Sequence, residues 1–442
     1  MKKYFILLLS GMLLAGRATG QDWSLEQCIR YALDNNIAIQ QQQLTAEQAG
    51  NLLFQSKMTF LPSLNANLSS SLSWGMSKSM QENADGTLIE VQEHRFSQSF
   101  SPSIYASVNL FEGLKKINTV RRNRSNYQAS QQEVERLRNE IALSVAQAYL
   151  QVLLSTEVLA VAESSYESID VQLTRLKQLV EAGSRPYSEQ LEMEAQLAAE
   201  EVQRVTSKNQ LDNNYLNLRQ LLDIPPSSTF QIAKPELSVG ENFEGEDADN
   251  VYSLAQDLPQ VKGAEYRMES ARHELWIARG NYWPTLSLGG SYGSAYYDSR
   301  GQRFWDQLVD NRSPSLNFGL SIPIFNNWSI RTNAKNAKLN LHIAQLEVEN
   351  KRKTLYKEIQ SAITDALAAF NKYKAAERNV IAAKESFRYT EQKFEVGAIS
   401  ATDYNISKNN LLKAQSEELQ TKYQYIFQLK IIDFYKGADI TL

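Results

Sequence analysis

The chain carries nearly the same design twice, 214 positions apart. Each copy joins two alternating strand-like segments to a stretch of nearly seventy residues without glycine or proline. One offset registers Phe111 with Phe325, Glu181-Ala182-Gly183 with Glu395-Val396-Gly397, Ser188-Glu189 with Thr402-Asp403, and Leu218 with Ile432. Upstream, Phe60-Leu61-Pro62-Ser63-Leu64 matches Tyr282-Trp283-Pro284-Thr285-Leu286 at an offset of 222, so the loop between the strands differs in length. Loops absorb such changes and elements do not. A period this long exceeds that of a solenoid repeat and marks a duplicated half-domain. Each half therefore builds the same supersecondary unit.

The strand segments have two unlike faces. Leu64, Ala66, Leu68, Ser70, Leu72 and Trp74 alternate with Asn65, Asn67, Ser69, Ser71 and Ser73. The next segment sets Phe96, Phe100, Ile104, Ala106, Val108 and Leu110 against Ser97, Ser99, Ser101, Ser103, Ser107 and Asn109. In the second copy, Leu286, Leu288, Tyr292 and Tyr296 oppose Ser287, Gly289, Ser291 and Gly293. Leu316, Phe318, Leu320, Ile322 and Ile324 then oppose Asn317, Gly319 and Ser321. A soluble antiparallel sheet with one face on a core gives the same alternation. Here, however, the polar faces carry hydroxyls, amides and glycine with almost no charge. Aromatic residues gather at the segment ends, at Trp74, Phe111, Tyr282, Trp283, Tyr296, Tyr297, Phe325 and Trp328. That is the pattern of transmembrane barrel strands between interfacial girdles. An open sheet edge in hydrocarbon leaves backbone groups unsatisfied at several kcal/mol each, so four strands must close with those of other chains. Two copies reach the smallest bacterial barrels and three give a wider lumen, and the residues alone leave both open.

Leu114 to Ala182 and Asn327 to Val396 contain no helix breaker. At 1.5 Å per residue each spans on the order of 100 Å as one helix. In the first, Val134, Leu137, Ile141, Val145, Ala148 and Val152 form one apolar row and Leu143, Ala146, Leu150 and Leu153 a second, which predicts neighbours on two sides. Gly183 and Gly397 end these helices, and returning helices follow from about Ser188 to Asp223 and from about Thr402 to Lys436. Helices over Leu25 to Phe60 and Val251 to Asn281 lead into the first strand of each copy. Ile224 to Asn250, with Pro225, Pro226, Pro235 and the acidic stretch Glu244 to Asp249, reads as an irregular connector.

Lys2 and Lys3, the apolar run Tyr4 to Ala15 and the small residues Ala18-Thr19-Gly20 read as a secretory leader. The run is too short to span a bilayer. Arg17 stands where a lipid-bearing cysteine would be, so no lipid anchor is expected there. Removing the leader takes Lys2, Lys3 and Arg17 and moves the net charge from −4 to −7, a poor match to nucleic acid. The one cysteine, Cys28, has no internal partner for a disulfide and suits a small buried place on a helix. His94, His273 and His342 are scattered without ligand spacing, so no metal or other cofactor is expected. No nucleophile elbow, paired-carboxylate pocket or phosphate-cradling glycine loop appears, and no enzymatic activity is expected.

Taken in order, several pieces resemble the TolC-like outer-membrane efflux proteins of Gram-negative bacteria. They are the segment Trp23 to Asn36, the Leu-Pro and Trp-Pro strand starts, Leu320-Ser321-Ile322-Pro323-Ile324-Phe325, and Phe394-Glu395-Val396-Gly397. The resemblance covers essentially the whole mature chain. It implies a membrane β-barrel plus a long α-helical barrel, with four strands per chain in a 12-stranded homotrimeric barrel continued by a periplasmic helical tunnel. The parts follow as a leader at 1–20, lead-in helices at 21–61, strands at 62–111, a helical hairpin at 112–223, and an equatorial connector at 224–250. The second copy has lead-in helices at 251–283, strands at 284–326, a hairpin at 327–437, and a tail at 438–442.

Its implied partners are outer-membrane lipid, a periplasmic adaptor (membrane fusion) protein, and an inner-membrane pump or secretion transporter. Docking is implied at the hairpin turns Gly183, Ser184, Arg185, Gly397, Ala398 and Ile399, and a periplasmic constriction at Asp403 and its first-copy counterpart Glu189. The chain departs from the family pattern where the next aspartate falls on Ile406 and a tip arginine on Ile399. Ser188-Glu189 and Thr402-Asp403 also fit a helix N-cap followed by a first-turn acid, and the two roles are compatible. The function implied is a passive exit duct for drugs, metals or secreted polypeptides. A membrane-anchored structural or adhesive rod without a lumen is the alternative, separated from it by the uncharged strand face that suits a water-filled interior.

Overall fold

A computed structural model describes residues 22–82, 85–225, 230–235, 240, 245–298 and 301–442. The leader at 1–20 lies outside the described residues, as do Pro226 and Glu244 of the connector. The elements follow as α1 (Leu25–Asn35), α2 (Ile37–Met58), β1 (Ser63–Glu82), β2 (Leu88–Glu112), α3 (Lys115–Glu181) and α4 (Tyr187–Leu222). After the connector come α5 (Ala248–Ala255), α6 (Pro259–Gly280), β3 (Thr285–Gly293), β4 (Tyr296–Tyr297), α7 (Phe304–Asp310), β5 (Ser313–Ser321), α8 (Ser329–Glu395) and α9 (Ala401–Tyr435). They form two compact units: residues up to 44 with 132–262 and 349–442, and residues 45–131 with 263–348.

The first unit is helical. Its largest core joins Leu25, Cys28 and Ala32 of α1 to Val145, Tyr149 and Val152 of α3, Leu218 and Leu222 of α4, and Tyr423 and Ile426 of α9. Tyr149 lies between the two apolar rows, and its hydroxyl reaches the carbonyls of Ala233 at 2.7 Å and Trp23 at 3.1 Å. The connector is tied down there too, since Trp23 N–H donates to Gln231 O and Ala233 N–H to Trp23 O. Burial, then the negative charge of Glu26, pushes the Cys28 thiol up to about 12, which keeps it unreactive.

Each lead-in segment is two helices. Asn36 leaves the helical region at ψ 125° and its side chain bonds Leu221 O, while Pro259 disfavours helix at the residue before it and starts α6.

The second unit holds an antiparallel sheet in the order β1-β2-β3-β5, with β4 pairing β2 beyond the end of β3. Its strands differ from the sequence expectation in four ways. β1 and β2 are 20 and 25 residues long, far beyond the alternating segments, and Lys78 and Glu90 pair across the outer part at 2.7 Å. A bulge between Asn109 and Phe111 leaves Leu110 out of register and puts Phe111, not Leu110, opposite Leu286. The fourth strand ends at Ser321 rather than Ile324. The third breaks after Gly293, so Tyr296 belongs to β4, opposite Phe100.

The unexpected helix α7 fills the second hairpin. Its buried Gln307 accepts from Tyr297 N–H and donates to Tyr297 O, both at 3.0 Å, standing in for a strand partner. Phe304 packs on Tyr296 and Phe100.

Both strand-to-helix junctions place two successive residues at positive φ. They are Gly113 (63°) and Leu114 (61°) before α3, and Asn327 (51°) and Trp328 (63°) before α8. Three of the four pay the left-handed penalty of an L-residue with a side chain, so the geometry is imposed by the junction rather than by local preference.

Candidate functional site: a two-faced sheet and a clasped pair of turns

Across the sheet, residues of like character are in register. Leu64, Ala106, Gly290 and Leu316 form one row, and Ser63, Ser107, Gly289 and Asn317 another. On the polar face serine hydroxyls bond in pairs, Ser63 to Ser107 at 3.1 Å, Ser73 to Ser97 at 2.6 Å and Ser291 to Ser315 at 2.7 Å. The apolar face is bare, with Leu68 and Trp74 each 74% and Phe318 69% exposed. An apolar patch of this extent marks a surface that meets lipid or protein. Among the described residues β1 pairs only with β2 and β5 only with β3, so both edges are open.

The two helical turns are built alike. Gly183 at φ 74° and Gly397 at φ 77° take the left-handed C′ position. Gly183 N–H bonds Val180 O and Ser184 N–H bonds Leu179 O; Gly397 N–H bonds Phe394 O and Ala398 N–H bonds Lys393 O. This is the Schellman closure in both copies. The returning helices are capped two residues earlier than expected, at Pro186 and Ser400 rather than Ser188 and Thr402. Pro186 brings no side-chain bond. Ser400 Oγ accepts from Asp403 N–H at 3.2 Å and donates to the Asp403 carboxylate at 2.9 Å.

Arg185 joins the two turns. Its guanidinium pairs with Glu189 at 3.1 Å, donates to Phe394 O at 2.8 Å and Ile399 O at 3.4 Å, and lies 5.2 Å from the centre of the Phe394 ring. The Arg185 and Glu189 side chains are only 12% and 14% exposed, so water screens this pair little. Ile399, whose side chain departs from the arginine that the resemblance implies there, has its carbonyl reached by Arg185 of the first-copy turn.

Among the expected site residues, the structure brings together Arg185, Glu189, Gly397 and Ile399. Gly183, Ser184 and Ala398 are exposed at the turns, and Asp403 is exposed beside its cap. Sequence reasoning missed the layer beneath, where Phe394 stacks on Tyr404 at 4.8 Å and Phe387 on Tyr404 at 5.3 Å. Lys408 is buried there, 3.4 Å from Ser168 and 5.1 Å from the Phe387 ring. Burial lowers its pKa, against the opposing pull of Glu200 and Glu391. Burial, with Glu391 nearby, pushes Tyr404 up to about 12. Two contacts also tie neighbouring helix ends, Thr402 to Glu192 at 2.7 Å and Arg175 to Glu395 at 2.8 Å. The 214-residue offset was the signal available for this layer, because it pairs Lys408 with Glu194 and Glu391 with Lys177.

A family profile described as outer membrane efflux protein matches residues 28–223 and 250–432. The outer membrane protein TolC of Escherichia coli K12 is 24% identical over 445 residues, covering 98% of this chain and 86% of the relative. TolC of Vibrio cholerae is 22% identical over 433 residues, covering 97% and 94%. The solved Campylobacter jejuni CmeC outer membrane channel superposes with a TM-score of 0.78 at 19% identity, covering 94% of this chain and 86% of that one, a likeness of fold.

Proposed function

The chain belongs to the outer membrane efflux protein family, and from that premise we propose how its geometry makes a duct. The protein is an outer-membrane exit duct of efflux and type I secretion systems, located in the outer membrane and extending into the periplasm. Relatives include a pyoverdine export outer membrane protein and an alkaline protease secretion protein, a small molecule and a polypeptide by name. A passive bore that leaves selection to an energised partner accommodates both kinds of cargo.

The observation that carries the reading is the two-faced sheet with two open edges. Its bare leucine, phenylalanine and tryptophan face suits hydrocarbon, its serine, asparagine and glycine face suits water, and its edges are tolerable in a bilayer only when paired. Three copies supply twelve strands around a lumen, with lipid outside. The helical hairpins then present their turns to a periplasmic adaptor, which links the duct to an inner-membrane pump or secretion transporter. Arg185, oriented by Glu189, holds the two turns together through the carbonyls of Phe394 and Ile399, and Asp403, exposed beside its Ser400 cap, is the residue assigned to the constriction. No bond is made or broken in this role.

Purified protein reconstituted in planar bilayers tests the reading. Discrete ohmic conductance steps from a trimeric species are expected. A trimer that inserts and stays electrically silent would leave the structural-rod alternative standing instead.

A further inference from the structure

The two repeat offsets transform one strand pairing into another. Adding 222 to β1 and 214 to β2 carries Ser63↔Ser107 onto Thr285↔Ser321, Asn67↔Ser103 onto Gly289↔Asn317, and Ser71↔Ser99 onto Gly293↔Ser313. Those are the observed partners of β3 and β5, and every pair between these strands obeys the same rule. The duplication is thus held in hydrogen-bond register, beyond likeness of sequence.

One pairing within the chain remains without its counterpart. β2·β3 joins the second strand of copy one to the first strand of copy two, so its equivalent joins β5 to β1. Those are the two open edges, separated within one chain by two intervening strands, about 14 Å at the usual strand spacing. A second copy of the chain is the occupant that fits.

Resting on the assembly reading above, we propose that β5 pairs with β1 of a neighbouring copy in the register that the offsets carry over from β2·β3. Ser103↔Gly293, Tyr105↔Ser291 and Ser107↔Gly289 become Asn317 opposite Ser71, Gly319 opposite Ser69, and Ser321 opposite Asn67 of the neighbour. Ala106↔Gly290 and Phe111↔Leu286 become Leu320 opposite Leu68 and Phe325 opposite Leu64, with Ile324 taking the bulge position of Leu110. This register sets hydroxyl and amide residues together on one face and apolar residues on the other, whereas a slip of one residue would exchange the faces.

The junction beneath is not equivalent in closeness. A Cβ on Gly113 would lie 2.2 Å from Gly280 O, so those two backbones touch because both residues are glycine. Their counterparts between copies are Asn327 and Met58, which carry side chains. The joint between copies is therefore the more open one, filled by Asn327, Trp328, Met58 and Leu61. The last three are all exposed in the single chain.

Cysteine pairing tests the register. Directly opposed residues lie about 4.5–5.5 Å apart and same-face neighbours shifted by two about 7–8 Å, beyond easy disulfide reach. Ser71→Cys and Asn317→Cys are made on separate chains in a Cys28→Ala background, co-expressed and mildly oxidised in membranes. A covalent pair is expected in about tenfold excess over Ser69→Cys or Ser73→Cys combined with Asn317→Cys, by the same distance limit. Gly319→Cys with Ser69→Cys must behave like the first pair. If detergent-solubilised protein has the mass of a trimer but a shifted pair links equally well, or both expected pairs fail, the register is overturned while the assembly stands. A monomeric mass overturns both.

Discussion

Replacing Arg185 by alanine removes an ion pair to Glu189 and hydrogen bonds to two carbonyls of the other turn. Bonds to a charged donor contribute about 1.5–3 kcal/mol each, and ordering the long arginine costs about 1–2. At 3.4 Å the contact with Ile399 is weak and the Glu189 pair lies within the first-copy turn, so the Phe394 bond dominates the hold between the turns. The net loss between the turns is roughly 2 kcal/mol, about thirtyfold in the equilibrium between held and released turns. Hydrogen exchange reads this directly, because the amides of Gly397 and Ala398 close the second turn and exchange through its local opening. Their exchange should accelerate about thirtyfold, and single-channel conductance should rise. Glu189→Gln keeps both carbonyl bonds and removes only the pair that orients the guanidinium from its own turn, so it should accelerate exchange by no more than about threefold. Arg185→Lys keeps the charge but lacks the fork that reaches both turns, and should resemble alanine more than wild type. Unchanged exchange in Arg185→Ala would refute the clasp. Equal effects of Arg185→Ala and Glu189→Gln would refute the part assigned to the carbonyls.

The buried Lys408 is expected to cost stability near neutral pH. Its folded pKa is lowered by burial, so the unfolded chain binds more protons and stability rises with pH between the lowered value and the ordinary lysine value. Lys408→Met should stabilise the helical unit by about 1–3 kcal/mol at pH 7 and lose that rise, as followed by thermal melting of the helical circular dichroism at pH 7 and 10. Glu200, Glu391 and Ser168 face the ammonium from the packed helices, and a double change with Glu391→Gln should be non-additive. Gly113→Ala meets backbone at 2.2 Å and should abolish assembly, whereas Gly183→Ala meets nothing within 4 Å and should cost only about 1–2 kcal/mol of backbone strain, compared by trimer yield. Tyr149→Phe strips the donor shared by Trp23 O and Ala233 O and should destabilise by about 1–2 kcal/mol, with faster proteolysis of the connector as the readout.

Period and the absence of breakers made the architecture legible. Nothing between Leu114 and Ala182 can end a helix, and α3 runs from Lys115 to Glu181. Strand faces were legible for the same reason, because alternation needs no knowledge of the partner. The bulge at Leu110 was not, since one extra residue has no signature until the opposing strand is known. Nor was α7, whose place depends on Gln307 bonding to Tyr297, ten residues away along the chain and brought near only by folding. The capping expectation failed through a different competition. Ser188 and Thr402 are good cap residues, but Pro186 has its φ fixed at a helix-compatible value and Ser400 is an equally good cap, so both helices start sooner.

At the turns the sequence showed equivalence, and the chemistry lies in where that equivalence breaks. Glu189 and Asp403 occupy matching positions, yet Glu189 is held by an arginine and Asp403 by a serine cap. The cause is four residues earlier, where Arg185 matches Ile399, so one turn can grip and the other can only be gripped. The layer below repeats the inversion. Lys177 of α3 pairs with Glu194 of α4 at 3.2 Å on an exposed surface, and their counterparts are Glu391 of α8 and Lys408 of α9 with the signs exchanged and the lysine buried. A duplicated hairpin with identical turns would make two like contacts of equal strength around a ring. Exchanging charge between copies makes each first-copy turn the donor and each second-copy turn the acceptor. The tip can then loosen by releasing the Arg185 grip, which frees the Gly397 and Ala398 amides of the gripped turn while the first-copy turn keeps its own closure.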